Sequence, residues 1–289
     1  MAPAQARPRG GGGPHVKTFA AGTTKYVTLV IASIATLLPL GLILFGSFKT
    51  NQEFLSTNPF QPPENWLNFD NYALAFTRGG MALAFFNTAL IFVAAIIGTI
   101  FIGAGTAYAL DRFRFRGRST VLILFLLATL VPGVTTQVAT FQIINGLGLY
   151  GSRWALILLF MGTDIVSIYI FVQFMRSIPR SLDEAAMIEG AGHLRIFFQI
   201  ILPNLKPAIA TVVIIKGIGI YNEFYLPYLY LNDPDTLPVS TALFAFKGPY
   251  GSQWEAICAC VVITIIPILL LFLFLQRYIY NGFTSGATK

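Results

Sequence analysis

The chain has 289 residues, of which 55% are hydrophobic and only 11% are charged. A soluble domain carries roughly 25% charged residues, so this chain lacks the polar surface needed to face water on all sides. Its formal net charge of +7 would suit nucleic acid, but the basic residues lie in short segments between long apolar runs and not in one patch. The composition therefore excludes a soluble domain, argues against a nucleic-acid partner and predicts a membrane protein that contacts lipid.

Apolar runs along the chain predict six membrane helices, each of which needs roughly 20 residues to cross a bilayer. The uncharged stretch 119–152 is too long for one span and is divided by a Gly-rich turn at 145–148. The predicted spans are Tyr26–Phe48, Met81–Leu110, Thr120–Ile144, Trp154–Phe174, Pro207–Leu231 and Ala256–Gln276. The sequence thus predicts an all-α, polytopic membrane protein with six transmembrane helices.

The distribution of Lys and Arg predicts the orientation of these helices. With the N-terminus inside, fourteen basic residues fall in inner segments and four, Lys49, Arg78, Arg153 and Lys247, fall in outer segments. We therefore expect both the N-terminus and the C-terminus to be cytoplasmic.

The segments around the spans divide the chain into four parts. Residues 1–24 are rich in Gly, Pro, Ala and Arg and predict a disordered cytoplasmic tail. A signal peptide is the alternative, but the first apolar run is longer than a usual h-region and no clear cleavage pattern follows it. The first helix and an extracytoplasmic loop are expected over 25–80, a transmembrane core over 81–280 and a cytoplasmic tail over 281–289.

One inner segment, residues 175–206, is a long loop with a pattern of its own. Asp183 and Glu184 fall in the first turn of a predicted short helix, where negative charge suits the helix dipole. Small residues follow, and Gly190 and Gly192 end or bend the helix before a second amphipathic segment that runs to Pro203. A short helix lying at the membrane surface has much the same composition.

The spacing within this loop is more specific than its composition. Glu184-Ala185-Ala186 is followed after three residues by Gly190, and after nine more by Ile200-x-Leu202-Pro203. This pattern resembles the EAA signature of ABC importer permeases. In that family the loop sits in a cleft of the cytoplasmic ATPase. The variant here is similar to the carbohydrate-uptake branch, which usually has Asp where this chain has Glu189. The resemblance implies an ATPase-coupling loop formed by Asp183, Glu184, Ala185, Ala186, Glu189, Gly190, Ala191, Ile200, Leu202 and Pro203.

Other segments resemble the same branch. Tyr221-Asn222-Glu223-Phe224 is similar to the Trp-Asn-Glu-Phe stretch of maltose-type permeases, with Tyr in place of Trp, and Asn68–Tyr72 and Tyr108–Leu110 also match. The resemblance over about residues 25–280 implies a type I ABC importer permease fold, with a type-1 core over 81–280, in a bacterial or archaeal cell membrane. It implies the smaller six-span permease, which pairs with a second, different permease, two ATPase subunits and an extracytoplasmic solute-binding protein to import a sugar or oligosaccharide.

The sequence predicts no chemistry carried out by the chain itself. It has no GxxxxGK[ST] nucleotide loop and no Ser/His/Asp, Cys/His or metal-ligand arrangement, so catalytic and metal sites and bound cofactors are not expected. The chain is therefore predicted not to be an enzyme. ATP and Mg would be used by the partner ATPase subunits.

Three ionisable residues, Asp164, Lys216 and Glu223, fall inside predicted spans. A charge in the bilayer centre costs at least ~2.5–3.5 kcal/mol, so these side chains should face protein or water. Asp164 and Lys216 are both expected near mid-membrane, where we predict an ion pair between helices. Lys216 and Glu223 are seven residues apart and would share a helix face, which together with Tyr221 and Asn222 either lines the substrate path or only joins neighbouring helices.

The cargo stays open at this point. An ABC importer permease for a glycerophosphodiester or an amino acid is one alternative. An ion-coupled secondary transporter that uses the three intramembrane charges is another, although no repeat of two halves is apparent in the chain.

Overall fold

The computed structural model describes residues 14–162, 164–248 and 251–286, with side-chain surroundings described for 25–162, 164–248, 251–270 and 273. In these ranges the chain is predominantly helical, as predicted, with one short antiparallel hairpin of β1 (Lys247–Gly248) and β2 (Gly251–Ser252). The α-helices are α1 Pro14–Phe48, α2 Asn51–Ser56, α3 Asp70–Thr77, α4 Met81–Arg112, α5 Arg118–Ala128, α6 Gln137–Gly146, α7 Arg153–Met161, α8 Ile165–Met175, α9 Ser181–Ile188, α10 His193–Ile196, α11 Leu202–Asn204, α12 Lys206–Asn222, α13 Tyr225–Tyr230, α14 Val239–Ala242 and α15 Trp254–Gly286. A π-helical turn, Phe197–Ile201, joins α10 to α11, and 3₁₀ turns occupy Gly133–Thr136, Pro234–Thr236 and Leu243–Phe246.

Long apolar helices coincide with the predicted membrane runs. In the described residues, the Lys25–Phe48 part of α1 and all of α4 are long and apolar enough to cross a membrane. Three helix pairs qualify together but are bent, namely α5 with the 133–146 segment by 95°, α7 with α8 by 43°, and the 193–204 segment with α12 by 72°. The first part of α15, Trp254–Leu270, is a shorter apolar helix.

The ends of the chain contain more helix than the composition predicts. Helix α1 begins at Pro14, so the predicted disordered tail is corrected over 14–24, and residues 1–13 lie outside the described residues. Proline is tolerated in the first turn of a helix, and an established helix grows by one hydrogen bond per added residue. Helix α15 likewise continues to Gly286, through the first part of the tail predicted over 281–289, and residues 287–289 lie outside the described residues.

The predicted third span, Thr120–Ile144, is not one helix. Helix α5 stops at Ala128, and after the break the chain resumes as a 3₁₀ turn at Gly133 and then α6, at 95° to α5. Pro132 explains the break, because it cannot donate a hydrogen bond to the Ala128 carbonyl and it disfavours helical backbone in the residue before it. The bend leaves this segment apolar but unburied, with Leu130 73% and Val134 76% exposed.

The packed centre of the molecule is α4, which contacts α7, α8 and α12. Close approach to α8 depends on Gly103, because a Cβ built there would lie 2.9 Å from Cδ2 of Phe171. Around α4, the end formed by residues 111–118 and 176–206 is called the loop end. The opposite end, formed by residues 49–80, 231–248 and 251–253, is called the cap end. Each holds part of the buried apolar core.

The cap end is joined to α1 and α15 by polar side chains. Buried Asn71 of α3 donates from Nδ2 to the carbonyls of Ser47, at 3.0 Å, and of Lys49, at 2.8 Å. Asn51 of α2 donates to Glu255 Oε1 at 3.0 Å, at the start of α15. These bonds hold the short cap helices across the ends of the two long ones.

Substituting Gly103 by valine should lower the thermal midpoint of the detergent-solubilised protein, because the new side chain overlaps Phe171 and overpacking costs ~1–3 kcal/mol. Gly105→Val on the same helix is the matched control, since a Cβ at Gly105 meets nothing within 4 Å. Equal midpoints for the two variants would contradict the close α4–α8 contact.

Candidate functional site

The loop helix α9 is followed by a residue whose backbone conformation favours glycine. Gly190 has a φ of +83°, in the left-handed region that L side chains rarely adopt. Beyond it, Ala191 N–H donates to the Ala186 carbonyl at 2.9 Å, and Gly190 N–H donates to that of Met187 at 3.0 Å. These are bonds of a glycine-terminated helix end, so the spacing from Ala186 to Gly190 has a direct structural cause.

Helix α9 has two different faces. Asp183 and Ala186, three residues apart, are buried against the core, whereas Glu184, Ala185 and Glu189 are exposed. The exposed side also carries Ile188, which is 88% exposed. A helix that buries one face and exposes an apolar residue on the other has surface available for another protein.

The second limb of the loop packs into the same core. Ile196, Phe197 and Ile201 are buried in one apolar cluster with Ala186 and Tyr108 of α4. Of the remaining predicted coupling residues, Ala191, Ile200 and Leu202 are half-buried and Pro203 is exposed.

Pro203 shapes this limb because it has no N–H to continue a regular helix. The turn before it is π-helical, and the Ile200 carbonyl accepts a hydrogen bond from Asn204 Nδ2 at 2.7 Å. The loop therefore consists of two short rigid limbs.

A buried ion pair connects α9 to the end of α4. Arg112 Nε lies 2.6 Å from Asp183 Oδ2, and Arg112 Nη1 lies 2.9 Å from Asp111 Oδ2. Arg112 Nη2 also donates to the Ile178 carbonyl at 3.0 Å, between α8 and α9. One guanidinium thus joins three segments of the loop end.

Two further arginines complete this network. Arg180 Nη2 donates to the Asp111 carbonyl at 2.7 Å, and Arg118 Nη2 lies 3.7 Å from Asp111 Oδ1. Burial raises the pKa of Asp183 above its ordinary value, and the positive charges of Arg112 and Arg180 oppose that rise. In the sequence these arginines indicate only the orientation of the helices, because no spacing rule shows which of them meets Asp183.

The ion pair expected between Asp164 and Lys216 is present. Lys216 Nζ lies 3.3 Å from Asp164 Oδ2, and Ser167 Oγ donates to the same oxygen at 2.7 Å. Asp164 stands in extended backbone immediately before α8, at the bend between α7 and α8. The predicted straight span Trp154–Phe174 is therefore corrected to a broken one, with a carboxylate at the break.

Glu223 does not share a helix face with Lys216, which corrects that part of the sequence analysis. Helix α12 ends at Asn222, and Glu223 is extended, with φ −69° and ψ 118°. Its Oε1 accepts hydrogen bonds from the Tyr225 and Leu226 amides at 2.9 and 3.2 Å. The side chain thus satisfies free N–H groups at the start of α13, and the predicted fifth span, Pro207–Leu231, is broken here.

The two residues before Glu223 differ in their surroundings. Tyr221 donates from its hydroxyl to the Thr264 carbonyl at 2.9 Å and so joins α12 to α15. Asn222 is exposed and donates to the Ile218 carbonyl at 3.0 Å. The structure therefore brings Asp164 and Lys216 together, whereas Tyr221 contacts α15 and Glu223 binds the amides of α13.

Within the described residues, no cluster of three or more His, Cys, Asp or Glu side chains could hold a metal ion. Cys258 and Cys260 are free thiols.

Comparisons with known proteins agree with this architecture. The fold resembles a chain in the crystal structure of a bacterial ABC transporter involved in the import of the acidic polysaccharide alginate, with a TM-score of 0.78 and 21% identity over 96% of this chain and 99% of that one. Residues 99–284 match the family described as binding-protein-dependent transport system inner membrane component. The chain therefore belongs to this family of membrane components of transport systems.

Curated relatives cover nearly the whole chain. The diacetylchitobiose uptake system permease protein NgcG of Streptomyces coelicolor is 33% identical, over 91% of this chain and 88% of its own length. The galactooligosaccharides transport system permease protein GanQ of Bacillus subtilis is 34% identical, over 91% of this chain and 94% of its own length. Both relatives are named as permease proteins of saccharide transport systems.

Replacing Arg112 by glutamine should strongly destabilise the loop end, because losing one partner of a buried pair costs ~3–5 kcal/mol. The Asp183→Asn change should lower the free energy of unfolding less in the Arg112→Gln variant than in the natural chain. Thermal unfolding in detergent measures the difference. Arg114→Gln, at an exposed position of the same segment, is the control and should leave the midpoint unchanged. Strictly additive losses for the two paired sites would contradict the coupling.

Neutralising Asp164 and Lys216 together should lower the free energy of unfolding by less than the sum of the two single changes, with a coupling of ~0.5–3 kcal/mol. The reason is that each single variant leaves one charge without its counter-charge, whereas the double variant does not. Thermal midpoints of Asp164→Asn, Lys216→Gln and the double variant measure this. Lys206→Gln at the exposed start of α12 should combine additively with Asp164→Asn. Additivity for both combinations would refute the ion pair.

Proposed function

We propose that this chain is the transmembrane permease subunit of an ATP-driven ABC importer and forms half of the translocation path for a sugar or oligosaccharide. Six apolar helical units cross the membrane, with the loop end and both termini in the cytoplasm. The preponderance of Lys and Arg at the loop end supports this orientation.

The observation that carries the proposal is the construction of the 183–203 loop. Its inner face is fixed to α4 by the Arg112–Asp183 pair, and its outer face leaves Ile188 88% and Leu194 76% exposed. Apolar side chains on a rigid, polar-rimmed loop in water are expected to be covered by another protein. In our proposal the cover is an ATPase subunit.

Energy and substrate would come from other chains. A second, different permease completes the path, two ATPase subunits bind ATP and Mg, and an extracytoplasmic solute-binding protein delivers the cargo, while this chain binds no cofactor itself. Closure of the ATPases would move the 183–203 loop and the attached end of α4 as one body and re-pack the helices.

A saccharide cargo is supported by the relatives, whose names specify diacetylchitobiose and galactooligosaccharides. The Asp164–Lys216 pair is consistent with a polar path, because its side chains are 16% and 22% exposed at the bend of a membrane-length helix pair. Charges at that depth are tolerated where they face protein or water.

Reconstitution of the chain with its genomic neighbours in proteoliposomes tests the function. We expect saccharide uptake that requires ATP and the solute-binding protein. Uptake driven by an ion gradient without ATP would instead identify a secondary transporter, and ATP-driven uptake confined to amino acids or glycerophosphodiesters would overturn the saccharide cargo.

The Ile188→Asp change should weaken ATPase association by about ten- to a hundredfold, because burying such a side chain contributes ~1.5–3 kcal/mol. Co-purification of the ATPase and its stimulated hydrolysis measure the loss. Phe115→Asp, at a 44% exposed apolar position of the neighbouring loop-end segment, is the control. If both variants retain the ATPase equally, α9 is not the docking surface.

A further inference from the structure

Three aromatic rings from separate segments meet near the cap end. Phe224 lies in the break after α12, Tyr228 is on α13, and Phe244 is in the 3₁₀ turn before β1. Phe224 stacks on Tyr228 at 5.5 Å and 26° between ring planes, and on Phe244 at 4.9 Å and 29°. These three rings are called the aromatic platform.

The platform is partly exposed, with Phe244 half-buried, and has a cation beside it. Tyr228 is 64% exposed and Phe224 is 36% exposed, whereas the neighbouring Phe246 is buried. The ammonium of Lys247 lies 5.5 Å from the centroid of the Phe244 ring. Flat apolar faces, a phenol and an ammonium are therefore offered together on one surface.

The backbone under the platform is fixed by hydrogen bonds. Glu223 Oε1 accepts from the first two amides of α13, and Ser240 Oγ donates to the Glu223 carbonyl at 2.7 Å. The bond from Ser240 ties the break that carries Phe224 to the segment that leads to Phe244. The ring faces are thus positioned by the fold, which reduces the entropy lost when a ligand binds.

We propose that the aromatic platform binds a pyranose ring of the transported saccharide as it enters the path, an inference that rests on the proposed function. The C–H face of a pyranose is flat and apolar and stacks on an aromatic ring. Its hydroxyls accept hydrogen bonds from an ammonium, and they can both donate to and accept from a side-chain amide. Lys247 supplies the ammonium and exposed Asn222, two residues before Phe224, supplies the amide. Sites of this kind combine aromatic walls with a few placed polar groups.

Two features of the rings favour a saccharide over lipid headgroups. Aromatic residues at membrane interfaces are mainly Trp and Tyr, whose polar tips reach the headgroups. Two of the three platform rings are Phe, with no polar tip. Phe224 stacks on both neighbours, whereas the planes of Tyr228 and Phe244 are tilted by 51° to each other. The 64% exposed ring of Tyr228, held against Phe224, offers the face that a flat ligand requires.

The test uses the complete importer, assembled with its partner permease and ATPases in nanodiscs but without the solute-binding protein. Binding of diacetylchitobiose, galactobiose and melibiose is titrated by saturation-transfer NMR. We expect Tyr228→Leu to weaken binding of at least one of these sugars about three- to tenfold, as loss of one aromatic contact predicts. Phe244→Leu should act in the same direction, and Tyr228→Phe should bind as the natural chain does because it retains the ring.

Tyr225→Leu is the matched control. Tyr225 is on the same short helix and is 49% exposed, but it belongs to none of the stacked ring pairs of the described chain. Its substitution should leave both saccharide binding and basal ATP hydrolysis unchanged.

Three outcomes would overturn the platform. If Tyr228→Leu and Phe244→Leu bind sugars as Tyr225→Leu does, while ATP-driven uptake persists in the complete system, the platform fails and the proposed function stands. If Tyr228→Leu and Tyr225→Leu equally lower the yield of assembled complex, the rings serve lipid or the partner permease. If the complete system hydrolyses ATP but imports no saccharide, both proposals fail.

Discussion

The buried contact between Arg112 and Asp183 is the constraint on which the loop end depends. Helices α9, α10 and α11 have only eight, four and three residues, too few to be stable alone. They keep their arrangement because one guanidinium joins Asp183, Asp111 and the Ile178 carbonyl, and because Ala186 and Phe197 share a core with α4. A buried ion pair adds little net stability compared with apolar packing, but it specifies which groups must meet. It makes the loop a fixed extension of α4.

Two of the breaks in the apolar helices carry a carboxylate. The break at Pro132 follows from a missing N–H, the break before α8 carries Asp164, and the break after α12 carries Glu223. Irregular backbone inside a membrane is tolerated where it is covered by protein or lines a water-filled cavity.

Helix α12 connects the features of the two ends. It begins beside the loop end, carries Lys216 in its second half and ends at Asn222, next to the aromatic platform. It also packs against α4 and α8, to which the loop end is tied. In the proposed importer, movement of the loop would therefore reach the Asp164–Lys216 pair and the platform through packed helices, without any flexible linker between them.

The sequence by itself determined the helical class, the positions of the apolar runs and the family, because hydropathy, Lys and Arg distribution and the spacing from Glu184 to Pro203 are local properties of the chain. It also indicated the Asp164–Lys216 pair, since two opposite charges at similar depth have few other partners. Tertiary structure decided the rest. Only folding shows that Arg112, and not Arg114 or Arg116, meets Asp183, that Glu223 leaves α12 to bind the amides of α13, and that Phe224, Tyr228 and Phe244 stack. These contacts join residues whose pairing depends on where helices break and how they pack, and no periodicity in the sequence encodes that.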